Sequence, residues 1–166
     1  SFVGKVITAL NTPNKTQNFY PVSVQDWEIK LMPFKASQAL AEGGAVGIEI
    51  SSNTTTGNLT VMGVENASGA DFVGILAETI ATTDADYATA GKLKAVWIPK
   101  SYAHSEAFFT VTAGTFTAVD VFKRVEITSG SLGLSVDTAG KGATITSYIS
   151  STRGTCKFNM PLTETA

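Results

Sequence analysis

The chain has 166 residues, a formal net charge of −2 and only 16% charged residues, against about 25% in typical soluble proteins. Its lysines and arginines are scattered along the sequence, whereas nucleic-acid binding needs them clustered to release counterions from the phosphates. No apolar run is long enough to span a membrane, and no signal peptide opens the chain. We therefore expect neither a nucleic-acid partner nor a membrane partner.

Residues 1–24 differ from the rest and are predicted to form an extended N-terminal arm. A polar, turn-rich stretch at 11–18 lies between apolar segments, which include Phe2 before it and Phe19 and Tyr20 after it. A loop-like middle between two apolar ends is typical of an arm that contacts a neighbour. A plain first strand followed by a loop fits the same residues.

Residues 25–113 are predicted to form a first β lobe. Residues 27–31 alternate apolar and charged side chains, which is the period of a half-buried strand. Turns rich in Gly, Asn or Thr separate this strand from those that follow. Further strands are predicted at 46–50, 59–64, 72–80, 92–98 and 106–112.

The strand at 92–98 has two chemically different faces. Because successive side chains of a strand point to opposite sides, Leu93, Ala95 and Trp97 share one face. Lys92 and Lys94 lie on the other. This alternation predicts one apolar face and one charged face.

The order of strands and turns in residues 45–99 recurs, with shorter loops, in residues 121–161. Residues 114–166 are therefore predicted as a second β lobe that is a degenerate repeat of 40–99. Strands rich in Gly, Ala and Thr also resemble one another through composition. Similarity without duplication therefore fits the same pattern.

The spacing of turns predicts the fold class. Turn signals recur at intervals of roughly eight to twelve residues, and no segment longer than about ten residues has uninterrupted helical periodicity. The sequence therefore predicts an all-β protein with an extended N-terminal arm and little helix. The fold is a compact β-sandwich or barrel-like fold, built as one sheet system or as two related β lobes.

Residues that could perform chemistry do not form a convincing set. His104 with Ser101, Ser105 and Glu106 offers the residue types of a triad, but sequence neighbours rarely adopt that geometry. Cys156 is predicted to be a small buried hydrophobe, and one His and one Cys leave only carboxylates to complete a metal site. Asp84 and Asp86 lack the glycine and glutamate of a calcium loop. We therefore expect no enzyme, no metal and no cofactor.

Three segments follow one another in a familiar order: ALAEGGAV at 39–46, DFVGILA at 71–77 and GKLKAVWIP at 91–99. This order resembles the capsid cement and head-decoration proteins of tailed bacteriophages, including the lambda-type decoration family. In that pattern a strand follows a Gly-rich turn, a Val-Gly-Ile strand comes next, and the last strand ends near Pro. Residues 115–121 would repeat the opening, with Val119 in place of the expected glycine.

The resemblance implies a structural virion protein on the outer surface of an assembled capsid, made in the host cytoplasm. Such a protein would stabilise the shell by bridging neighbouring major capsid subunits. Its expected partners are the major capsid protein and other copies of itself, with a trimer favoured. The family supplies no catalytic residues.

The same analogy suggests where the chain makes contact. Large aromatic residues are typical of the core or of a subunit interface. An alternative function is a head-fibre base or a glycan-binding surface module, which exposed rings at Tyr20, Trp27, Trp97 and Tyr102 would favour. Capsid or subunit contacts are predicted at Phe2, Phe19, Tyr20, Trp27 and Trp97.

Overall fold

The chain folds into β-strands over the parts that the computed structural model describes, which are residues 18–48, 61–63, 72–128, 132–140 and 142–159. Within these ranges the only helical elements are two 3-10 helices of three residues, Val24–Asp26 and Ala118–Asp120. The all-β prediction with little helix is confirmed. Residues 1–17 of the predicted arm lie outside the described residues.

Five strands close into a first barrel in the order β2-β4-β3-β5-β6. The longest pairing joins β2 and β6 in antiparallel register, from Trp27 opposite Pro99 to Phe34 opposite Lys92. A parallel pairing of β2 with β4 closes the barrel. The strands are β2 (Trp27–Phe34), β3 (Ala45–Ile48), β4 (Val61–Gly63), β5 (Phe72–Leu76) and β6 (Lys92–Pro99).

Five further strands form a second barrel in the order β7-β11-β10-β8-β9, which a parallel pairing of β7 with β9 closes. A short strand, β1 (Tyr20–Pro21), pairs with β7 at the side of this barrel. The strands are β7 (Ala107–Ala113), β8 (Arg124–Ile127), β9 (Leu134–Ala139), β10 (Ala143–Ser150) and β11 (Arg153–Phe158).

The two barrels have the same connectivity. In each, the first strand pairs parallel with the third and antiparallel with the fifth. The second strand pairs antiparallel with the third and the fourth, and the fourth pairs with the fifth. The predicted repeat aligns β3–β6 with β8–β11. These strands occupy equivalent positions in the two barrels.

The register is equivalent as well. Ala45 of β3 lies opposite Ile75, and Val46 opposite Gly74. In the corresponding strand pair of the second barrel, β8 and β10, Arg124 lies opposite Thr144 and Val125 lies opposite Ala143. The predicted lobe boundary between residues 113 and 114 is displaced, because β7 hydrogen-bonds to β9 and β11 and so belongs to the second barrel.

One buried core runs through both barrels. The ring of Phe158 meets Phe19 at 4.9 Å and Trp27 at 6.4 Å between centroids, both edge to face. Alternation along β6 sends Ala95 and Trp97 into this shared core, whereas Val96 enters a second cluster within the first barrel. Sheet residues of the first barrel are therefore buried on both faces.

The alternation predicted for β6 is present, but its lysines are buried and Leu93 is 52% exposed. The connection from β5 to β6 covers the lysine side. The ammonium of Lys92 donates to the Tyr87 carbonyl at 2.7 Å, and that of Lys94 pairs with Asp86 at 3.0 Å. Buried charge is tolerated here because each ammonium has oxygen partners.

We expect Lys92→Met to lower the free energy of unfolding by about 1–3 kcal/mol, because the buried ammonium and its hydrogen bonds to the carbonyls of Lys35 and Tyr87 would be lost. Urea unfolding measures the change. The control Lys30→Met removes an ammonium that is 58% exposed and should change stability by less than about 0.5 kcal/mol. Equal losses in the two variants would contradict the bracing role of Lys92.

Candidate functional site

The predicted aromatic contact residues are mostly interior. Phe2 lies outside the described residues. Phe19, Tyr20, Trp27 and Trp97 are all less than a tenth exposed. Large apolar rings stabilise a core through buried area, and these four do so within the folded chain. They are therefore not on the surface where a partner would meet them.

The predicted arm of residues 1–24 is corrected over its last part. Phe19 packs into the shared core, and β1 pairs with β7. The guanidinium of Arg153 donates to the carbonyl of Asn18 at 2.6 Å. The chain is thus anchored from residue 18 onward, because its apolar residues belong to the protein's own interior.

Ser105, one of the two serines of the possible triad, has a structural role. His104 lies exposed in a turn, whereas Ser105 is buried. The Ser105 hydroxyl donates to the Asp26 carbonyl at 2.7 Å and accepts the Ser101 N–H at 3.2 Å. The Ser105 hydroxyl therefore donates its proton to a backbone carbonyl, and its two hydrogen bonds stabilise the turn.

The other chemically active residues are also accounted for structurally. Cys156 is fully buried, and burial raises the pKa of its thiol above the ordinary value, so it remains protonated. The Asp84 carboxylate accepts the Ala81 N–H at 2.9 Å. In the described ranges, no three His, Cys, Asp or Glu side chains are grouped to hold a metal ion. No helix found there has the length and apolar character needed to cross a bilayer.

Exposed apolar side chains are concentrated on the second barrel. Val119 and Phe122, in the connection from β7 to β8, are each 79% exposed, and Tyr148 and Ile149 on β10 are also exposed. The connection runs beside β10, because the Phe122 N–H donates to the Ile145 carbonyl at 2.7 Å. We call Val119, Phe122, Tyr148 and Ile149 the Phe122 surface.

The consecutive exposure of Tyr148 and Ile149 has a backbone cause. The pairing of β10 with β11 is irregular between Ile145 and Ser147 and again between Tyr148 and Ser150. Irregularities of this kind bend a strand and re-aim its side chains. The Tyr148 ring still packs against the buried Phe116 ring, with 5.0 Å between their centroids, and is 40% exposed.

The connection that carries Val119 and Phe122 is held by hydrogen bonds and an ion pair. Thr117 and Asp120 form a capping box, in which the Asp120 carboxylate accepts the Thr117 N–H at 2.9 Å. The Lys123 ammonium contacts the same carboxylate at 2.6 Å. These contacts, Lys123 first, lower the pKa of the buried Asp120 carboxyl below its ordinary range.

Phe122 has a backbone φ of +73°, in the left-handed region that bulky residues avoid. Its equivalent in the first barrel is Gly43, with φ +85°. The two share a hydrogen-bond pattern, since the Gly43 N–H donates to Leu76 and the Phe122 N–H donates to Ile145. The first barrel thus uses the residue that tolerates this conformation, and the second uses an exposed aromatic residue. Stability does not account for that choice.

The sequence-based analysis overlooked this surface. It placed the missing glycine at Val119, whereas the hydrogen-bond pattern places it at Phe122. A usable signal was present, because Thr117 followed three residues later by Asp120 is a capping-box pattern that predicts a turn. Of the apolar residues inside and just after this turn, Val121 packs against the core, whereas Val119 and Phe122 are exposed.

The described residues therefore offer a group of exposed apolar side chains on a hydrogen-bonded loop and on β10, whereas Ser105, Cys156 and Asp84 are engaged or buried within the fold. Exposed apolar patches occur where proteins contact other proteins, membranes or ligands. No protein-family model and no curated protein matches this chain.

We expect Phe122→Gly to raise the free energy of unfolding by about 1 kcal/mol, because relief of the left-handed strain exceeds the entropy cost of glycine. Thermal or urea unfolding measures the change. Val119→Gly is the matched control, because it removes an equally exposed side chain from the same loop. It should lower stability by about 0.5–1 kcal/mol. A loss of stability in both variants would show that Phe122 is not strained.

We expect Asp120→Asn to lower the free energy of unfolding by about 1–2 kcal/mol at pH 7, because the ion pair with Lys123 is lost. The folded-state pKa of Asp120 is lowered. Its stabilisation is therefore complete above the unfolded-state pKa of about 3.9 and is lost as pH falls through the folded-state value.

Urea unfolding of both proteins from pH 7 to pH 2 measures this dependence, and the difference between them should shrink as the pH drops. Glu28→Gln, which alters an exposed pair with Lys30, should change stability by less than about 0.5 kcal/mol. A difference for Asp120→Asn that stays constant down to pH 2 would contradict the assignment.

Proposed function

We propose that this chain is a structural virion protein that binds the outer surface of an assembled phage capsid and bridges neighbouring major capsid subunits. The observation that carries the proposal is the Phe122 surface. Single exposed apolar residues are ordinary, but two on a braced loop, one of them a strained aromatic residue, together with two on the adjacent strand β10 favour protein contact. The resemblance at 39–99 to head-decoration proteins supports the identity of the partner.

The composition supports the same function. A surface that is polar but poor in charge, with 16% charged residues in the chain, suits contact with protein and water. A protein that binds only the assembled shell stabilises it by mass action. Many copies that each bridge neighbouring subunits add their separate contributions. Self-association as a trimer is part of this proposal.

A head-fibre base or glycan-binding module is the alternative. Of the rings that would favour it, Tyr20, Trp27 and Trp97 are buried and Tyr102 is only partly exposed. Phe122 and Tyr148 are exposed aromatic residues that could stack on a sugar. Val119 and Ile149 beside them offer no hydrogen bonds, which sugar recognition needs, so capsid contact is favoured.

Co-sedimentation with isolated phage heads tests the proposal. We expect the full chain to pellet with expanded heads from the phage that encodes it, up to a fixed number of copies per head. Bound heads should withstand higher temperature than bare heads, because binding to the assembled state stabilises it. Naked DNA should not pellet the protein. Absence of binding to expanded heads would overturn the proposed function.

The same assay tests the arm with a shorter truncation. Deletion should stop at residue 17, because Phe19 belongs to the core. We expect the chain that begins at residue 18 to keep its circular dichroism spectrum and to bind heads less tightly. Undiminished binding would remove the arm from the mechanism and leave the proposed function standing.

A further inference from the structure

The first residues that the structure describes run across both barrels. On the first barrel they lie against the connection from β2 to β3. The Phe19 N–H donates to the Gly43 carbonyl at 2.9 Å, and the side-chain amide of Asn18 donates to the Glu42 carbonyl at 2.8 Å. We call residues 18–22 the strap.

The strap is also hydrogen-bonded to the second barrel. Its strand β1 pairs with β7, and the Val22 N–H donates to the Glu106 carbonyl at 3.0 Å, just before β7 begins. Between these contacts the Phe19 ring packs edge to face on Phe158 of β11. The strap therefore ties one barrel to the other through its own backbone.

Arg153, the first residue of β11, holds the strap on the second barrel. Its guanidinium donates to the Asn18 carbonyl at 2.6 Å and to the Thr110 hydroxyl at 2.8 Å, and it lies 5.5 Å from the centroid of the Phe108 ring. A planar guanidinium can donate several hydrogen bonds and stack on a ring at once. One side chain thus joins the strap to β7 and to β11.

The strap fits closely against the first barrel at Gly43. A methyl group at this position would lie 2.7 Å from the Asn18 Cβ and 3.1 Å from the Phe19 carbonyl oxygen. Asn18 itself has a backbone φ of +58°, a conformation that Asn adopts more readily than most residues. The residue types on both sides of this contact therefore suit the position of the strap.

We propose that the strap is a latch, which Arg153 holds closed and which opens as a unit while both barrels stay folded. It lies at one end of the described chain, and its strand β1 has only two residues. Segments with few backbone hydrogen bonds open at a lower free energy than core strands do.

The latch controls how the arm is attached. When it is closed, residues 1–17 are joined to a segment that both barrels hold, so a partner bound to the arm is connected to the whole molecule. When it is open, residues 18–22 lengthen the arm by about 17 Å of extended chain. The role of the arm rests on the proposed function, whereas the latch is a property of the free chain.

Residue-resolved hydrogen exchange of the free chain tests the latch. The acceptors of the Phe19 and Val22 amides lie on different barrels, so opening as a unit exposes both amides together. We expect these two amides to share one protection factor, roughly tenfold or more below those of Ala77 and Ile145, which donate within a single barrel. Protection of the strap equal to that of the barrels, or unequal protection of Phe19 and Val22, would overturn the latch.

Arg153→Met tests what holds the latch closed. It should lower the protection of Phe19 and Val22 by a further factor of roughly ten and leave that of Ala77 unchanged. Arg124→Met removes an exposed arginine of β8 and should change neither. Two results would each refute the role of Arg153: unchanged protection of the strap, or an equal loss at Ala77, which would indicate general destabilisation.

The side of the first barrel offers a matched pair of variants. Gly43 and Gly91 have φ values of +85° and +81°, so alanine strains the backbone similarly at both. A methyl group at Gly91 would have no atom within 4 Å, whereas one at Gly43 would meet the strap. We expect Gly43→Ala, and not Gly91→Ala, to lower the protection of the Val22 amide on the opposite barrel. A loss at Phe19 alone would show that the strap does not open as a unit.

Binding to expanded heads tests the consequence for the arm. Arg153→Met should weaken binding of the full chain, because an arm on an open latch is less well pre-organised. The same substitution should have no effect in the chain that begins at residue 18. Equal losses in the two chains would show that the latch does not act through the arm. If neither chain binds heads, the proposed function fails, and the exchange measurements still decide whether the latch exists.

Discussion

The packing of Phe158 against Phe19 and Trp27 joins the two barrels into one core, and the rest of the structure depends on it. These rings meet edge to face, the arrangement that aromatic pairs prefer. Trp27 opens the first barrel and Phe158 closes the second. A close-packed interior fixes the position of one barrel relative to the other. The Phe122 surface therefore has a fixed place relative to the first barrel.

Much of the fold could be predicted from local pattern. Alternation at 27–31 and 92–98 and the regular turns indicate strands whatever their partners. The pairing could not be predicted, because β7 looks like any other short strand until β9 and β11 bond to it. The burial of Lys92 could not be predicted either, because a charged residue in a strand indicates an exposed face unless a distant loop supplies oxygen partners for it.

The candidate site could be predicted less well, for a physical reason. Large aromatic residues stabilise cores and interfaces by the same burial of area, so Trp27 and Trp97 do not reveal from sequence which of the two they serve. Phe122 could be recognised only through its backbone. The sequence does not reveal the φ of a phenylalanine. The correspondence of Phe122 with Gly43 is shown by their backbone hydrogen bonds and not by residue type.

Closure of both barrels has a consequence for the behaviour of the chain at high concentration. Open sheets carry rows of unpaired amides that recruit further strands and seed fibrils. Here the parallel pairings of β2 with β4 and of β7 with β9 close five strands of each sheet into a ring, and the two-residue β1 pairs at the side of the second ring. At high concentration, copies would therefore contact one another through side chains rather than by adding strands to the two closed rings.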